Sequence, residues 1–175
     1  MARLYRYVGP EETRERAEGS PEGVEIATAA ALRSFVEALG APGRRGSTTL
    51  TFVVGERGEL RVAVRGAEHV ACAGPGEAGA PARVRAAGEL SVRTEGEAGT
   101  RIEDASNQST GYCPEPESFA ALAAALDAAG IAHPGRYTEP IVFRRCPGCG
   151  ERNLVKEGWF VCALCDAELP ATWNF

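Results

Sequence analysis

Residues 49–65 read TLTFVVGERGELRVAVR. TLTFVV (49–54) is a run of β-branched and aromatic residues, and GERG (55–58) is turn material. ELRVAVR (59–65) sets Leu60, Val62 and Val64 against mostly polar neighbours. The pattern predicts a hairpin with one buried face, so helices elsewhere in the chain have a sheet to pack on. Two segments supply them. Ser20-Pro21-Glu22 offers a hydroxyl cap, a proline suited to the first helical position and an acid for the positive end of the dipole. Leu32, Phe35, Val36 and Leu39 follow at helical spacing, and Gly40 and Pro42 end the run. The second helix is predicted from about Ser118 to Ala129, with Phe119, Leu122 and Leu126 as its apolar stripe. Gly130 followed by Ile131 fits a Schellman stop.

The remaining segments fill in a sheet. ARVRAAGELSVR (82–93) and TRIEDA (100–105) flank EGEAG (95–99) as a second hairpin. LYRYV (4–8) and PIVFRR (140–145) are strand-like, and EHVAC (68–72) precedes a soft loop at 73–81. Residues 9–19 are highly charged, open on Gly-Pro and read as a loop. The expected class is α+β: a mainly antiparallel sheet with two helices packed on it over residues 1–135. His133-Pro134-Gly135 then breaks into a separate C-terminal unit, 136–175.

A net charge of -5 argues against broad binding to a phosphate backbone, which needs a basic surface. Lys156 is the one lysine among nineteen basic residues. That bias fits GC-rich coding, so arginine abundance alone does not point to anionic ligands. MARLYRYVGPEETRER has no apolar core of signal-peptide length, and no run approaches about 18 apolar residues. A cytoplasmic protein with no membrane span is expected, in which six cysteines are thiols or metal ligands rather than disulfides.

The strongest motif is CPGCGERNLVKEGWFVCALC (146–165): C-x2-C, twelve residues, C-x2-C. Each pair can form a knuckle that aims two thiolates at one point, and a hairpin between the knuckles brings four sulfurs about a single ion. NLV, a Lys-Glu-Gly turn and WFV read as that hairpin. Pro147 fixes a backbone angle in the first knuckle, and Gly150 suits the left-handed residue that follows it. Asp166 takes that place in the second. The motif resembles a zinc ribbon, and CPGCG also looks like the first knuckle of rubredoxin-type iron sites. Zinc is the expected metal and iron the alternative; two pairs at ribbon spacing exceed what a redox dithiol needs. With Cys146, Cys149, Cys162 and Cys165 filling all four positions, the ion has no open place for a substrate water and its role is structural. Arg144, Arg145, Arg152 and Lys156 are candidates to offset the net -2 charge of the centre. Residues 134–175 carry five basic and five acidic side chains, so no basic stripe supports nucleic-acid binding. Trp159, Phe160, Trp173 and Phe175 are candidates for a small core, and any left exposed would anchor a partner protein.

NQSTGYCPEPES (107–118) holds a cysteine outside that signature. Turn chemistry accounts for most of it: Asn107 and Ser109 bond backbone groups, Gly111 supplies a free backbone angle, and Pro114 and Pro116 keep the approach extended. Tyr112 buries its ring, and Ser118 caps the second helix. A catalytic reading would use Cys113 or Tyr112 with His69 as base and Glu89 as a further acid or base. A second metal set could draw on His69, Cys72, Cys113 and His133. The candidate pocket is therefore His69, Glu89, Asn107, Ser109, Tyr112 and Cys113, open to a small molecule or a peptide.

EHVAC with His69, AAGEL with Ala86, Ala87 and Gly88, and STGYCP with Ser109, Tyr112 and Pro114 are also what residues 50–133 share with a known domain. In these pieces the chain resembles a poorly characterised domain of plant IQ-motif calmodulin-binding proteins and of scattered bacterial proteins. The resemblance implies a fold and the location of a site. It does not carry calmodulin binding, because the chain has no IQ motif. Relatives have histidine in place of Gly111 and arginine in place of Cys113, which puts a thiolate nucleophile there in doubt. The functional expectation is a zinc-ribbon adaptor that engages another protein. The alternatives are an enzyme with a pocket near His69, Glu89, Ser109 and Tyr112, or a nucleic-acid-associated ribbon.

Overall fold

Five strands form one sheet: β1 (Val24–Glu25), β2 (Ser47–Gly55), β3 (Leu60–Val64), β4 (Val84–Glu95) and β5 (Gly99–Ser106). Their order is β1-β3-β2-β4-β5, and every neighbouring pair is antiparallel. The computed structural model describes residues 3–40, 46–95 and 99–175. Pro42 and the tip of the second hairpin lie outside the described residues.

Alternation along the strands sorts the side chains into two faces. Leu50, Phe52 and Val54 of β2, Leu60 and Val62 of β3, and Ala86 and Leu90 of β4 turn to one side. There α2 (Ala29–Ala38) and α4 (Phe119–Ala128) cover them with Leu32, Val36, Leu122 and Leu126. Side chains of this size, fully buried, each contribute about 1.5–3 kcal/mol, so this layer carries most of the stability. The other face holds Val53 and Ala87 under Tyr5, Cys72 and Tyr112, with Ala63 and Trp173 packed alongside. The short helix α3 (His69–Ala73) lies on this face and carries the chain from β3 to β4. Gly88 is where β4 is approached most closely: a Cβ there would collide with the Ser106 carbonyl oxygen of β5.

The helix stops obey local rules. Ile131 N–H donates to Leu126 O at 2.9 Å and Gly130 N–H to Asp127 O at 3.0 Å, with Gly130 at φ +68°, the Schellman arrangement. Several readings need correction. Among the described residues there are four α-helices, not two: residues 9–19 contain α1 (Glu11–Ala17), and all of EHVAC after Glu68 lies in α3. The helix expected from Ser20-Pro21 begins at Ala29, where Thr28 accepts the Ala31 N–H at 3.1 Å. Residues 24–25 instead pair with β3 as β1, and Tyr5 makes only a single bridge to Val84. Ser118 is not a side-chain cap. It lies in a 3-10 turn, Pro116–Ser118, and its hydroxyl lies 3.0 Å from the Tyr137 hydroxyl.

A second sheet of two strands, β6 (Val142–Arg145) and β7 (Arg152–Val155), follows. Thus NLV pairs across the first knuckle with PIVFRR and not with WFV. Lys156 and Trp159 close a tight turn beyond it.

Candidate metal centre

The two C-x2-C segments fold alike because each repeats the same two backbone bonds. Cys146 N–H donates to Glu151 O at 2.8 Å and Gly150 N–H to Cys146 O at 2.9 Å. Cys162 N–H donates to Ala167 O at 2.8 Å and Asp166 N–H to Cys162 O at 3.1 Å. Such a loop needs a left-handed residue after the second cysteine, and Gly150 (φ +77°) and Asp166 (φ +59°) supply it.

The result is a cup of sulfur. Cys146 Sγ lies 3.5 Å from Cys165 Sγ, Cys149 Sγ lies 3.7 Å from Cys162 Sγ, and all four sulfurs fall within 4.8 Å of one another. A tetrahedron with metal–sulfur bonds of about 2.3 Å has edges of about 3.8 Å, so the four-cysteine cluster could hold a metal ion. The surroundings fit thiolates. Gly148 N–H (3.3 Å) and Cys149 N–H (3.5 Å) point at Cys146 Sγ, and Leu164 N–H (3.4 Å) points at Cys162 Sγ. Donation from Leu164 pulls the Cys162 thiol down to about 6, with Cys165 N–H and the Asn153 amide adding to it, while burial and the neighbouring thiols push Cys149 and Cys165 up.

Amides, not arginines, reach the sulfurs. Asn153 on β7 is buried and donates to Cys162 Sγ at 3.5 Å and to Glu151 O at 3.1 Å, while its Oδ1 accepts from Ala163 N–H at 3.0 Å. One side chain thereby ties the first knuckle to the second. Sequence reasoning missed it, although the alternation of Arg152-Asn153-Leu154 puts Asn153 alone on the metal-facing side. Arg144 instead points to the body of the protein, pairing with Glu115 at 2.6 Å and donating to Pro170 O and Ala171 O.

The turn at 107–118 is a buried junction. Asn107 Nδ2 donates to Pro114 O and to Ile141 O, and Asn107 Oδ1 accepts from Ile141 N–H, each at 2.7 Å. Tyr112 donates its hydroxyl to Ala82 O at 2.8 Å and sets its ring edge-on to Tyr7. The positive φ of the turn falls on Cys113 (+47°), whereas Gly111 is where the Tyr7 ring comes close. Trp173 Nε1–H caps the Cys113 carbonyl at 2.7 Å, which brings the C-terminal segment onto the turn.

The other candidate residues are distributed as follows. His69 Nε2 lies 3.0 Å from Gly88 O, and Glu89 pairs loosely with Arg65 at 3.7 Å beside Thr49, Ser91 and Asp104. Ser109 Oγ is buried with no hydrogen-bond partner. The Cys113 thiol donates to Thr110 O, and burial pushes it up to about 12 against the pull of Arg152 and Arg145. Burial raises Cys72 to the same range. His133 lies 3.1 Å from Asp127, against Phe119, and among the described residues the ribbon cysteines form the group with metal-binding geometry. No helix among the described residues is long and apolar enough to cross a membrane.

Burial lowers the pKa of His69 from its usual 6.5, against the raising effect of the Gly88 carbonyl. The unfolded chain therefore binds a proton that the folded one refuses between pH 6.5 and the depressed value. Stability is expected to fall as pH drops through that window. His69→Gln keeps a donor for Gly88 and removes the titration, so its melting temperature should decline less between pH 6.5 and 5. Parallel profiles for the two proteins would contradict a neutral imidazole at this position.

Comparison of the chain with protein-family models, curated proteins and solved structures finds no match. The resemblance to the IQ-motif protein domain gains no support from these comparisons, and no residue role is taken from it.

Proposed function

We propose that the four cysteines hold one structural zinc ion and that the protein is an adaptor which engages a protein partner through its ribbon. In this reading residues 1–135 are the α+β domain and residues 136–175 the ribbon domain mounted on it. Zinc is favoured over iron because four thiolates in a tetrahedron satisfy a d10 ion without redox chemistry. The observation that carries the interaction reading is the placement of apolar side chains. Trp173 packs against Tyr5, and Phe160 packs near Leu169. Trp159 at the tip of the turn and Leu164 on the second knuckle are 72% and 70% exposed. Large exposed side chains on a rigid metal-bound loop are suited to anchoring a partner.

Elemental analysis of freshly purified protein should give one zinc per chain; stoichiometric iron would colour the protein and overturn the metal assignment. Crosslinked partners of the wild type should be lost from Trp159→Ala and Leu164→Ser proteins and retained by a Val64→Ser control on the sheet. Identical partner sets from all four would exclude the ribbon as the contact surface.

Asn153 gives the metal reading a finer test. Asn153→Leu removes a donor to Cys162 Sγ and the bond to Ala163 while leaving all four ligands. Outer-shell partners of this kind are worth about 10–100-fold in metal affinity, so competition with a chromophoric chelator should show a loss of that size. Unchanged affinity would reduce Asn153 to a packing residue.

A further inference from the structure

The two ribbon strands have unlike faces. One turns Asn153 towards the sulfurs and Arg144 towards Glu115. On the other, alternation sets Phe143 and Arg145 of β6 beside their register partners Leu154 and Arg152 of β7. With Thr110 and Glu151 these four line a cleft of about 420 Å³ between the ribbon, the N-terminal segment and the turn.

Arg145 and Arg152 stand directly opposite each other, and like charges so placed are unfavourable in an antiparallel ladder. Several other arginines have acids close by: Arg144 has Glu115, Arg61 has Glu22 and Arg83 has Glu56. Arg145 reaches Gly150 O at 3.4 Å and stacks over Phe175, and Arg152 reaches Val8 O at 3.4 Å. Among the described residues these are neutral partners, and Arg152 Nε is buried with none at all. Glu151 offers its carboxylate to the Arg152 backbone N–H instead. Two guanidinium groups and one carboxylate leave the cleft with a net charge of +1. Leu154, an exposed leucine, gives it an apolar wall, with Phe143 fully buried behind it.

We propose that this cleft binds a small apolar monocarboxylic acid, its carboxylate held between Arg145 and Arg152 and its body against Leu154. A planar two-oxygen anion matches the guanidinium fork and neutralises the surplus charge. A dianion would overshoot that charge and face Glu151.

The test titrates the metal-loaded full chain with benzoate, benzamide and phenyl phosphate, followed by backbone amide shifts. Benzoate should shift Thr110, Arg145 and Arg152 saturably, and benzamide should not. Arg145→Gln and Arg152→Gln each remove charge-assisted bonds, and each should weaken benzoate about tenfold to a hundredfold at unchanged metal content. Leu154→Trp fills the cleft from its exposed wall, keeps both cations and should block binding as well. Equal shifts from benzamide, tighter binding of phenyl phosphate, or variants that bind benzoate as the wild type does would each overturn the assignment.

Discussion

Cys162→Ser protein is expected to leave purification without stoichiometric metal and with residues 142–175 disordered, while the five-stranded sheet stays folded. Structural zinc contributes about 10–16 kcal/mol to small metal-dependent folds, a scale that the C-terminal segment cannot replace from its own contacts. Its apolar cluster is Cys146, Cys162 and Leu169 with Val155, Phe160 and Ala167 against them, and two of the three central members belong to the four-cysteine cluster itself. The main core between the sheet and α2 and α4 contains no residue beyond Tyr137. Amide spectra should therefore show sharp, dispersed signals for β2–β5 beside collapsed signals for the ribbon. The body should also lose stability, because Arg144–Glu115 and the Trp173 bond to Cys113 O join it to the segment that melts. A Cys162→Ser protein with an ordered ribbon would show that the fold of this end needs no ion.

Which parts of this arrangement were legible in the sequence follows from the range of the interactions involved. The β2–β3 hairpin, the Gly130–Ile131 stop and the cysteine tetrad are written in neighbouring residues, where spacing alone sets the geometry. The α1 helix escaped because Glu11–Ala17 has no apolar stripe: Arg14 bridges Glu11 and Glu18, and Ala17 is its one buried residue. EHVAC escaped because five residues are too short for a helical period to declare itself; Val70 and Cys72 fit a strand equally well. Ser20-Pro21-Glu22 carried a helix-start pattern that tertiary pairing overrode, since residues 24–25 complete the sheet edge beside β3. The ribbon strands paired differently from expectation for a related reason. NLV had two apolar partners to choose from, and only the position of the first knuckle decides between PIVFRR and WFV. At the candidate site the four-cysteine cluster was legible. Asn153 and the Arg145–Arg152 pair were not, because their roles depend on which strand lies opposite.

Asn107→Ala is expected to destabilise the protein by about 3–5 kcal/mol, an unusually large effect for the loss of one small polar side chain. Asn107 is fully buried, and its amide satisfies Pro114 O, Ile141 O and Ile141 N–H. Truncation leaves three backbone groups without partners, each costing about 1–3 kcal/mol if water does not reach it, with partial relaxation reducing the sum. The loss should be spatially graded. Ile141 immediately precedes β6, so amide exchange should accelerate first at 141–145 and then through the ribbon, with β2 and β3 least affected. Ser109→Ala, two residues along the same turn, provides the opposite expectation. Its hydroxyl is buried without a partner, so removing it should leave stability unchanged or raise it slightly. If the two variants melted alike, hydrogen bonding would not be what holds this junction, and packing around Tyr112 would have to bear it instead. A large loss for Asn107→Ala beside none for Ser109→Ala makes the turn a polar clamp between sheet and ribbon. The exposed Trp159 would then ride on a rigid mount, which is the physical condition for its use as an anchor.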